Sequence, residues 1–166
     1  MKFIPFLMLF FGLINFAKAQ QEPAEQMPDF NLITTQNKPY GKNDLNANKK
    51  TLIVFFDATC WHCQTAGKFF NRYLEDLNPH NVLFVTMDEN KAIDYYTKNF
   101  APAIVNNTNV KILRDTAYYF VPNFKPERYP GIFVDGKKKD LLFYTNEEKE
   151  LEKVLVVLQK NEDWLL

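Results

Sequence analysis

The sequence predicts an α/β protein with a central mixed β-sheet and helices on both of its faces. Up to residue 100, segments of β-type apolar residues alternate with segments that carry a helical stripe, in the order β-β-α-β-α. Such an order favours a sheet covered by helices. After residue 130 the chain ends with a strand pair and an amphipathic helix. The strand pair would add antiparallel strands to the sheet.

The strands are predicted from short apolar segments. Leu52–Phe56 is a continuous apolar run, which is typical of a central strand buried on both faces. Val82–Val85 is a second run of this kind, and the weak alternation over residues 29–34 predicts an edge strand. Ile132–Val134 and Leu141–Tyr144, which are joined through a turn, predict a hairpin.

The helices are predicted from amphipathic stripes. Within Ala66–Leu77, apolar residues recur at steps of four, three, one and three, and Asn78–Pro79 ends the pattern. Residues 88–100 carry a second stripe. Ahead of the last helix, Thr145 and Glu148 have the spacing of a capping box. That helix is marked by four apolar residues at helical spacing: Leu151, Val154, Leu155 and Leu158.

Two regions are predicted to be irregular. Residues 38–41 have turn chemistry. Residues 101–129 contain a run of Asn and Thr and several prolines, and the segments Val110–Leu113 and Tyr118–Val121 within them fit neither a helix nor a strand clearly. The prolines 122 and 126 are interpreted as loop prolines.

The first nineteen residues have the pattern of a secretory signal. A basic start is followed by the apolar run Phe3–Phe16 and by Ala17-Lys18-Ala19, which matches a small-x-small cleavage site. The run is shorter than the ~20 residues that a membrane-spanning helix needs, and an uncleaved anchor is the alternative. We therefore expect a periplasmic or otherwise exported protein that is cleaved after Ala19 and meets the membrane only through an uncleaved signal segment.

The remaining sequence is predicted to form one domain. We expect a signal peptide over 1–19, a loose polar leader over 20–28 and a monomeric domain over 29–166. The formal net charge is +0, whereas a nucleic-acid-binding protein would show a basic excess. We therefore expect no nucleic-acid partner.

The segment Cys60-Trp61-His62-Cys63 contains both cysteines of the chain. A bridge across so short a loop removes little chain entropy, which argues for a working disulfide. The pair follows the predicted buried strand and begins a helix, whose free N–H groups and dipole favour a thiolate at Cys60. Cys63, one helical turn later, is predicted to resolve a mixed disulfide by attacking Cys60.

The two residues between the cysteines are predicted to modify this chemistry. A protonated His62 would stabilise the Cys60 thiolate and so the reduced form, which makes the disulfide more oxidising. Trp61 is predicted to be exposed, where it could offer an apolar platform to a partner chain. An aromatic side chain that only packs is the equally weighted alternative.

A metal site is the alternative interpretation of the cysteine pair. Zinc would need two further ligands, and the candidates are His62 and the distant His80, which is predicted to be a solvated loop residue. Soft thiolates also suit Cu(I). We expect no metal and no cofactor.

Three segments carry a resemblance to a known family. Met27–Leu32, Leu52–Cys63 and Tyr129–Lys137 resemble the thioredoxin superfamily, and more narrowly the TlpA/ResA-like and AhpC/TSA-like thioredoxin domains of bacterial envelopes. The resemblance implies a thioredoxin-like fold and a thiol–disulfide oxidoreductase. Its implied partners are protein thiols and disulfides and a redox partner in the envelope.

The resemblance also implies roles for residues outside the cysteine motif. Pro130 matches the cis-proline that faces the cysteine pair in this family, and Tyr129 would flank the site. The preceding residue's backbone could then pair with a substrate strand. Residues 118–130 would form part of a substrate groove.

The sequence departs from the family pattern at several positions around the motif. Thr59 stands where the family carries Trp, Val54 where thioredoxins place a buried acid, and Ala66 where ResA-type proteins carry a glutamate. Asp57 could replace the acid as a proton acceptor for Cys63, although an acid at a strand end is more often solvated or capping. The proton acceptor is therefore unassigned.

Three functions remain open from the sequence. The first is an exported thiol–disulfide oxidoreductase, with the direction of electron flow undecided. The second is a thiol peroxidase that uses Cys60, suggested by Thr59 but lacking the Pro-x-x-x-Thr-x-x-Cys pattern of peroxiredoxins. The third is a binding module for a metal or another protein that retains the fold without turnover.

Overall fold

The computed structural model of this protein describes residues 22–160, so the predicted signal peptide lies outside the described residues. The described strands are β1 (Asn31–Thr34), β2 (Pro39–Gly41), β3 (Thr51–Phe55), β4 (Asn81–Thr86), β5 (Val110–Arg114), β6 (Gly131–Asp135) and β7 (Leu141–Thr145). The described α-helices are α1 (Trp61–Arg72), α2 (Leu74–Leu77), α3 (Asn90–Phe100), α4 (Phe120–Phe124) and α5 (Leu151–Gln159). No helix within residues 22–160 has the length and apolar character needed to cross a membrane.

The seven strands form one mixed sheet in the order β2-β1-β5-β4-β3-β6-β7. Strands β3, β4 and β5 run parallel, and β6 pairs antiparallel with β3 and β7. The predicted mixed sheet is confirmed. β3 is buried along its whole length, as its continuous apolar sequence predicts.

Both faces of the sheet are covered, and the side chains of β3 alternate between them. Leu52 and Val54 pack in the cluster that contains residues of α1, α3 and α5. Ile53 and Phe55 pack in the cluster that contains α4 and the N-terminal segment. Because successive side chains of a strand point to opposite faces of the sheet, the single strand β3 contributes to the hydrophobic core on both faces.

The predicted edge strand is wrong in its position. β1 lies between β2 and β5, and β2, which the sequence analysis assigned to a turn, is the edge. Residues 35–38 make the turn instead, with Asn37 in the left-handed region at φ 60°. A proline is tolerated in β2 because an edge strand needs donors on one side only.

One helix boundary and one proline differ from the predictions. The helix begins at Trp61, after Cys60, as predicted for the cysteine pair, but it is divided at Tyr73 into α1 and α2. Pro122 lies in the first turn of α4, not in a loop. A proline is compatible with this turn because the first helical N–H groups have no partner in the helix.

The predicted capping box before α5 does not form. Thr145 is the last residue of β7, and its hydroxyl donates to Glu150 Oε2 at 2.7 Å. A 3-10 turn over Glu148–Glu150 then precedes α5. Because the helix begins at Leu151, Glu148 lies too early to cap it.

The predicted polar leader is not loose at its C-terminal end. Met27 is buried, and its N–H donates to Lys139 O at 2.8 Å. Ala24 N–H donates to Phe124 O at 3.2 Å. One apolar residue and main-chain hydrogen bonds therefore attach the leader to the domain, although its sequence is mostly polar.

Candidate active site

Cys60 lies at the junction between the central strand and the first helix. β3 ends at Phe55, and Cys60 is the residue before the first turn of α1, with an extended backbone at φ −72° and ψ 119°. The first helical hydrogen bond runs from Gln64 N–H to Cys60 O at 3.0 Å. The free N–H groups and the positive end of the helix dipole therefore lie beside Cys60, as predicted.

The two cysteines differ in their surroundings. Both are free thiols, Cys60 half-buried and Cys63 fully buried. Burial raises the pKa of the Cys63 thiol, and the neighbouring Cys60 and Asp57 raise it further. The Asp57 N–H donates to Cys63 Sγ at 3.5 Å, which opposes this rise. In general, a buried thiol with a raised pKa stays protonated until a disulfide forms at a neighbouring sulfur, which the thiol can then attack.

Asp57 caps the loop that carries the cysteines. Its Oδ1 accepts hydrogen bonds from Thr59 N–H at 2.7 Å, from the Thr59 hydroxyl at 2.6 Å and from Cys60 N–H at 3.2 Å. This supports the capping interpretation that the sequence left open. The donor of the Thr59 hydroxyl is used in this contact.

A second set of hydrogen bonds fixes the same loop from outside. Asp88 Oδ2 accepts from Ala58 N–H at 2.8 Å and from the Thr86 hydroxyl at 2.9 Å. Gln64 Nε2 donates to Ala58 O at 3.0 Å. Side chains therefore bond both the N–H and the carbonyl of Ala58, which fixes the conformation of the loop that leads to Cys60.

Tyr96 of α3 contacts the buried side of α1. Its hydroxyl donates to Cys63 O at 2.8 Å, and its ring stacks on Phe56 with centroids 4.3 Å apart. Burial raises the pKa of Tyr96, so the hydroxyl keeps its proton. Gly67 admits this ring, because a Cβ at that position would approach Tyr96 Cζ to 2.8 Å.

The Tyr96 contact was not predicted. The sequence places Tyr96 on the apolar face of a helix, together with Ile93 and Phe100. Helical spacing can identify that face, but it cannot show which backbone carbonyl the hydroxyl meets. A glycine inside the predicted first helix was the available signal, because glycine there costs about 1 kcal/mol relative to alanine.

His62 and Trp61 lie on the outer surface of the site. Trp61 is 62% exposed, which confirms its predicted exposure, and its ring centroid lies 4.1 Å from that of His62. His62 Nδ1 lies 3.7 Å from Glu148 Oε2, and both side chains are partly exposed. The Glu148 contact was not predicted, because it depends on where the chain turns before α5.

The Tyr129–Pro130 peptide bond is cis, which confirms the conformation expected from the resemblance. In the pairing of β3 with β6, Gly131 lies opposite Phe55, so this bond lies beside the cysteine loop. The Tyr129 ring stacks on Phe55 with centroids 4.8 Å apart. Burial, followed by the charge of Asp57, raises the pKa of Tyr129 to about 12.

Residues 118–130 continue this surface. Phe120 stacks on Phe55 at 4.5 Å, which anchors α4 next to Tyr129. Tyr118 and Val121 are 70% and 40% exposed, and Tyr118 has a left-handed backbone at φ 55°. A bulky residue in this conformation is uncommon. The structure thus places exposed apolar side chains on the segment predicted to border the groove.

His80 lies in a loop before β4, as predicted, but its ring is less solvated than predicted. It lies at the opposite end of the sheet, and its Nδ1 is buried without a hydrogen-bond partner. Burial, followed by the charges of Lys50 and Lys49, lowers its pKa to about 4. Among residues 22–160, no group of three or more His, Cys, Asp or Glu side chains is arranged to hold a metal ion.

Comparisons with known proteins show the fold. No protein-family model and no curated protein sequence matches the chain. Among solved structures, peroxidoxin BcpB from Mycobacterium tuberculosis superimposes with a TM-score of 0.67 at 14% identity, covering 84% of this chain and 97% of that one. A secreted M. tuberculosis disulfide oxidoreductase homologous to E. coli DsbE gives 0.63 at 14% identity, covering 78% and 96%.

An uncharacterized thioredoxin-like protein from Porphyromonas gingivalis is also similar. It gives a TM-score of 0.60 at 21% identity and covers 85% of this chain and 97% of its own. These similarities extend over most of each chain, at sequence identities that carry information on the fold alone. The predicted thioredoxin-like fold is confirmed.

Proposed function

We propose that this protein is an exported thiol–disulfide oxidoreductase that exchanges a Cys60–Cys63 disulfide or dithiol with protein substrates. One observation carries the proposal. A half-buried cysteine lies at the N-terminus of α1, and a fully buried cysteine with a raised pKa lies one turn below it. This arrangement separates an attacking thiol from a resolving thiol.

The exchange proceeds in two balanced steps. The Cys60 thiolate attacks one sulfur of a substrate disulfide, that disulfide breaks, and the other substrate sulfur leaves as a thiolate that takes up a proton. Cys63 then attacks Cys60 Sγ of the resulting mixed disulfide, so that the Cys60–Cys63 bond forms and the bond from Cys60 to the substrate breaks. The second substrate sulfur leaves as a thiolate, which takes up the proton that Cys63 gives up, through solvent. Two electrons pass from the protein to the substrate, and the reverse sequence oxidises a substrate dithiol.

The surrounding residues take the following roles in this proposal. His62, when protonated, stabilises the Cys60 thiolate. Trp61 and Tyr129 contact the substrate on either side of the cysteines, and Pro130 supports the main chain that faces it. Two observations support these roles. Trp61 is exposed next to Cys60 in the chain, and Tyr129 lies close enough to Asp57 and Cys63 for their charges to raise its pKa.

Export is part of the same proposal. The pattern of residues 1–19 is that of a secretory signal, and an oxidising compartment allows a disulfide pair to persist. The partners are protein thiols and disulfides and a redox partner in the envelope. We propose that the domain acts as a monomer.

A Cys63→Ser variant tests the proposal. Without its resolving thiol, the variant should accumulate mixed disulfides through Cys60 when it meets a disulfide-containing protein, and a reductant should release them. The matched control is Cys60→Ser, which should form far fewer adducts because Cys63 is buried. Equal adduct formation by the two variants, or none by either, would contradict the assignment.

The thiol-peroxidase alternative is separated by a second assay. The reduced wild-type protein is mixed with hydrogen peroxide or with a disulfide-containing protein, and thiol loss is followed in each case. The proposal predicts faster thiol loss with the disulfide. Peroxide consumption that outpaces disulfide exchange would favour the peroxidase instead.

A further inference from the structure

Asp57 contacts both reactive cysteines. Its carboxylate accepts a hydrogen bond from Cys60 N–H at 3.2 Å, and its own N–H donates to Cys63 Sγ at 3.5 Å. Burial is the main cause that raises the pKa of the Cys63 thiol; the Asp57 N–H lowers this pKa, and the charge of the Asp57 carboxylate raises it. No other residue in the described range 22–160 is shown with hydrogen bonds to both cysteines.

The position of the carboxylate has an electrostatic consequence. The dithiol form reacts as a thiolate, which carries a negative charge, whereas the disulfide form is neutral at both sulfurs. Because the Asp57 carboxylate accepts from the main-chain N–H of Cys60, a thiolate at that residue forms near a like charge, whereas a neutral disulfide is not repelled. The charge of Asp57 therefore favours the disulfide, in the opposite direction to the predicted effect of His62.

We propose that Asp57 is a positioning residue that sets the redox balance of the Cys60–Cys63 pair. Its hydrogen bonds hold the cysteine loop, and its negative charge shifts the pair towards the disulfide. The inference rests on the proposed function, because it assumes that the two cysteines form a reversible disulfide. It gives Asp57 a role that differs from proton acceptance: Oδ1 already accepts from three donors, and the charge acts without a proton transfer.

The geometric and electrostatic roles can be separated by substitution. Asp57→Asn retains an acceptor oxygen for Thr59 and Cys60 and removes the charge. Asp57→Ala removes both. Asp88→Asn is the matched control, because Asp88 caps the same loop through Ala58 but has no described hydrogen bond to either cysteine.

The test equilibrates the full-length chain and its variants with mixtures of reduced and oxidised glutathione and measures the dithiol fraction by thiol alkylation and mass. We expect Asp57→Asn to shift the equilibrium constant towards the dithiol by about three- to thirtyfold, from loss of one nearby like charge. Its thermal midpoint should stay near that of the wild type. Asp57→Ala should show a similar shift together with a lower midpoint, and Asp88→Asn should shift the constant less than about twofold.

Two results would overturn the inference. One is an Asp57→Asn variant that folds normally and keeps the wild-type equilibrium or moves towards the disulfide. The other is an equal shift in Asp88→Asn, which would show that any carboxylate bonded to the loop has the same effect. If the wild-type protein never forms the Cys60–Cys63 disulfide in glutathione, the proposed function itself fails, and this is seen before any variant is compared.

Discussion

At each end of the central strand β3, a side chain interacts with the dipole of a helix end, but the two interactions have different consequences. Just before β3, the Lys50 side chain is 5% exposed, and its Nζ donates to Val157 O at 2.7 Å and to Lys160 O at 2.5 Å, at the C-terminus of α5. After β3, the N-terminus of α1 meets Cys60. Each helix end thus faces a side chain whose charged form complements its dipole.

The difference lies in whether the charge is permanent. Lys50 is a cation whose hydrogen bonds join β3 to α5, so this end contributes to stability. Cys60 gains its charge only as a thiolate and loses it when a disulfide forms. Helix-end electrostatics therefore stabilise the fold at one end and, in the proposed exchange, the attacking thiolate at the other, so the two ends should respond differently to substitution.

The largest effect is expected for Lys50→Met. The substitution leaves the carbonyls at the end of α5 without their buried donor, which should lower the free energy of unfolding by about 3 kcal/mol. Denaturant unfolding measures this, with Lys49→Met as the control because the described hydrogen bonds of Lys49 Nζ are longer, at 3.4 Å. The glutathione equilibrium should not change. If Lys50→Met shifted the glutathione equilibrium as much as Asp57→Asn does, the two ends of β3 would be coupled.

An intermediate effect is expected at the same end from Asp135, which lies opposite Thr51 in the sheet. Burial raises its pKa from 3.8 to about 7. Between these pH values the folded state keeps a proton that the unfolded state has lost, so this group makes stability fall as the pH rises from 4 to 7. His80, with its lowered pKa, acts in the opposite direction between pH 6.5 and 4.

Asp135→Asn should remove the Asp135 contribution. Relative to the wild type, the variant should gain about 2 kcal/mol of stability between pH 4 and pH 7, after allowance for relaxation around the buried carboxyl. Because both proteins retain His80, its contribution cancels in the difference. The measurement is thermal unfolding of both proteins across this pH range. Parallel curves would mean that Asp135 is already ionised in the folded protein.

The smallest effect on stability is expected for Gly67→Ala at the active-site end. The added methyl group would overlap the Tyr96 ring, while the higher helix propensity of alanine offsets part of the cost, leaving a loss of about 1 kcal/mol. The same shift would disturb the hydrogen bond to Cys63 O. We therefore expect a change in the alkylation rate of Cys63 that Lys50→Met does not produce. An unchanged alkylation rate would show that the contact with Tyr96 does not affect the reactivity of Cys63.

The sequence predicted those features of the fold that depend on local pattern. The apolar run of β3, the stripe of α3 and the cysteine pair at a strand–helix junction are each encoded within a few neighbouring residues. The segment 101–129 was not assigned from such patterns, because β5 is only partly buried and mixes apolar with charged residues, and α4 is a short helix that contains Pro122. β5 is stabilised by its pairing with β1 and β4, and α4 by packing against the sheet.

At the candidate site, the sequence predicted the positions of Cys60, Cys63, Trp61 and Pro130. The partners that surround them depend on tertiary contacts. Tyr96 reaches Cys63 O from a helix more than thirty residues away, and Glu148 reaches His62 from the turn before α5. Periodicity identifies which face of an element is apolar, but it carries no information on which polar atoms meet across elements.

The most direct test of the proposed exchange mixes the reduced wild-type protein with oxidised glutathione and follows it by acid quenching and mass spectrometry with peptide mapping. We expect a transient glutathione adduct on Cys60. Its loss should give a protein that is two hydrogen atoms lighter than the reduced form and joined through Cys60 and Cys63. An adduct that forms first on Cys63, or one on Cys60 that persists without internal resolution, would contradict the proposed exchange.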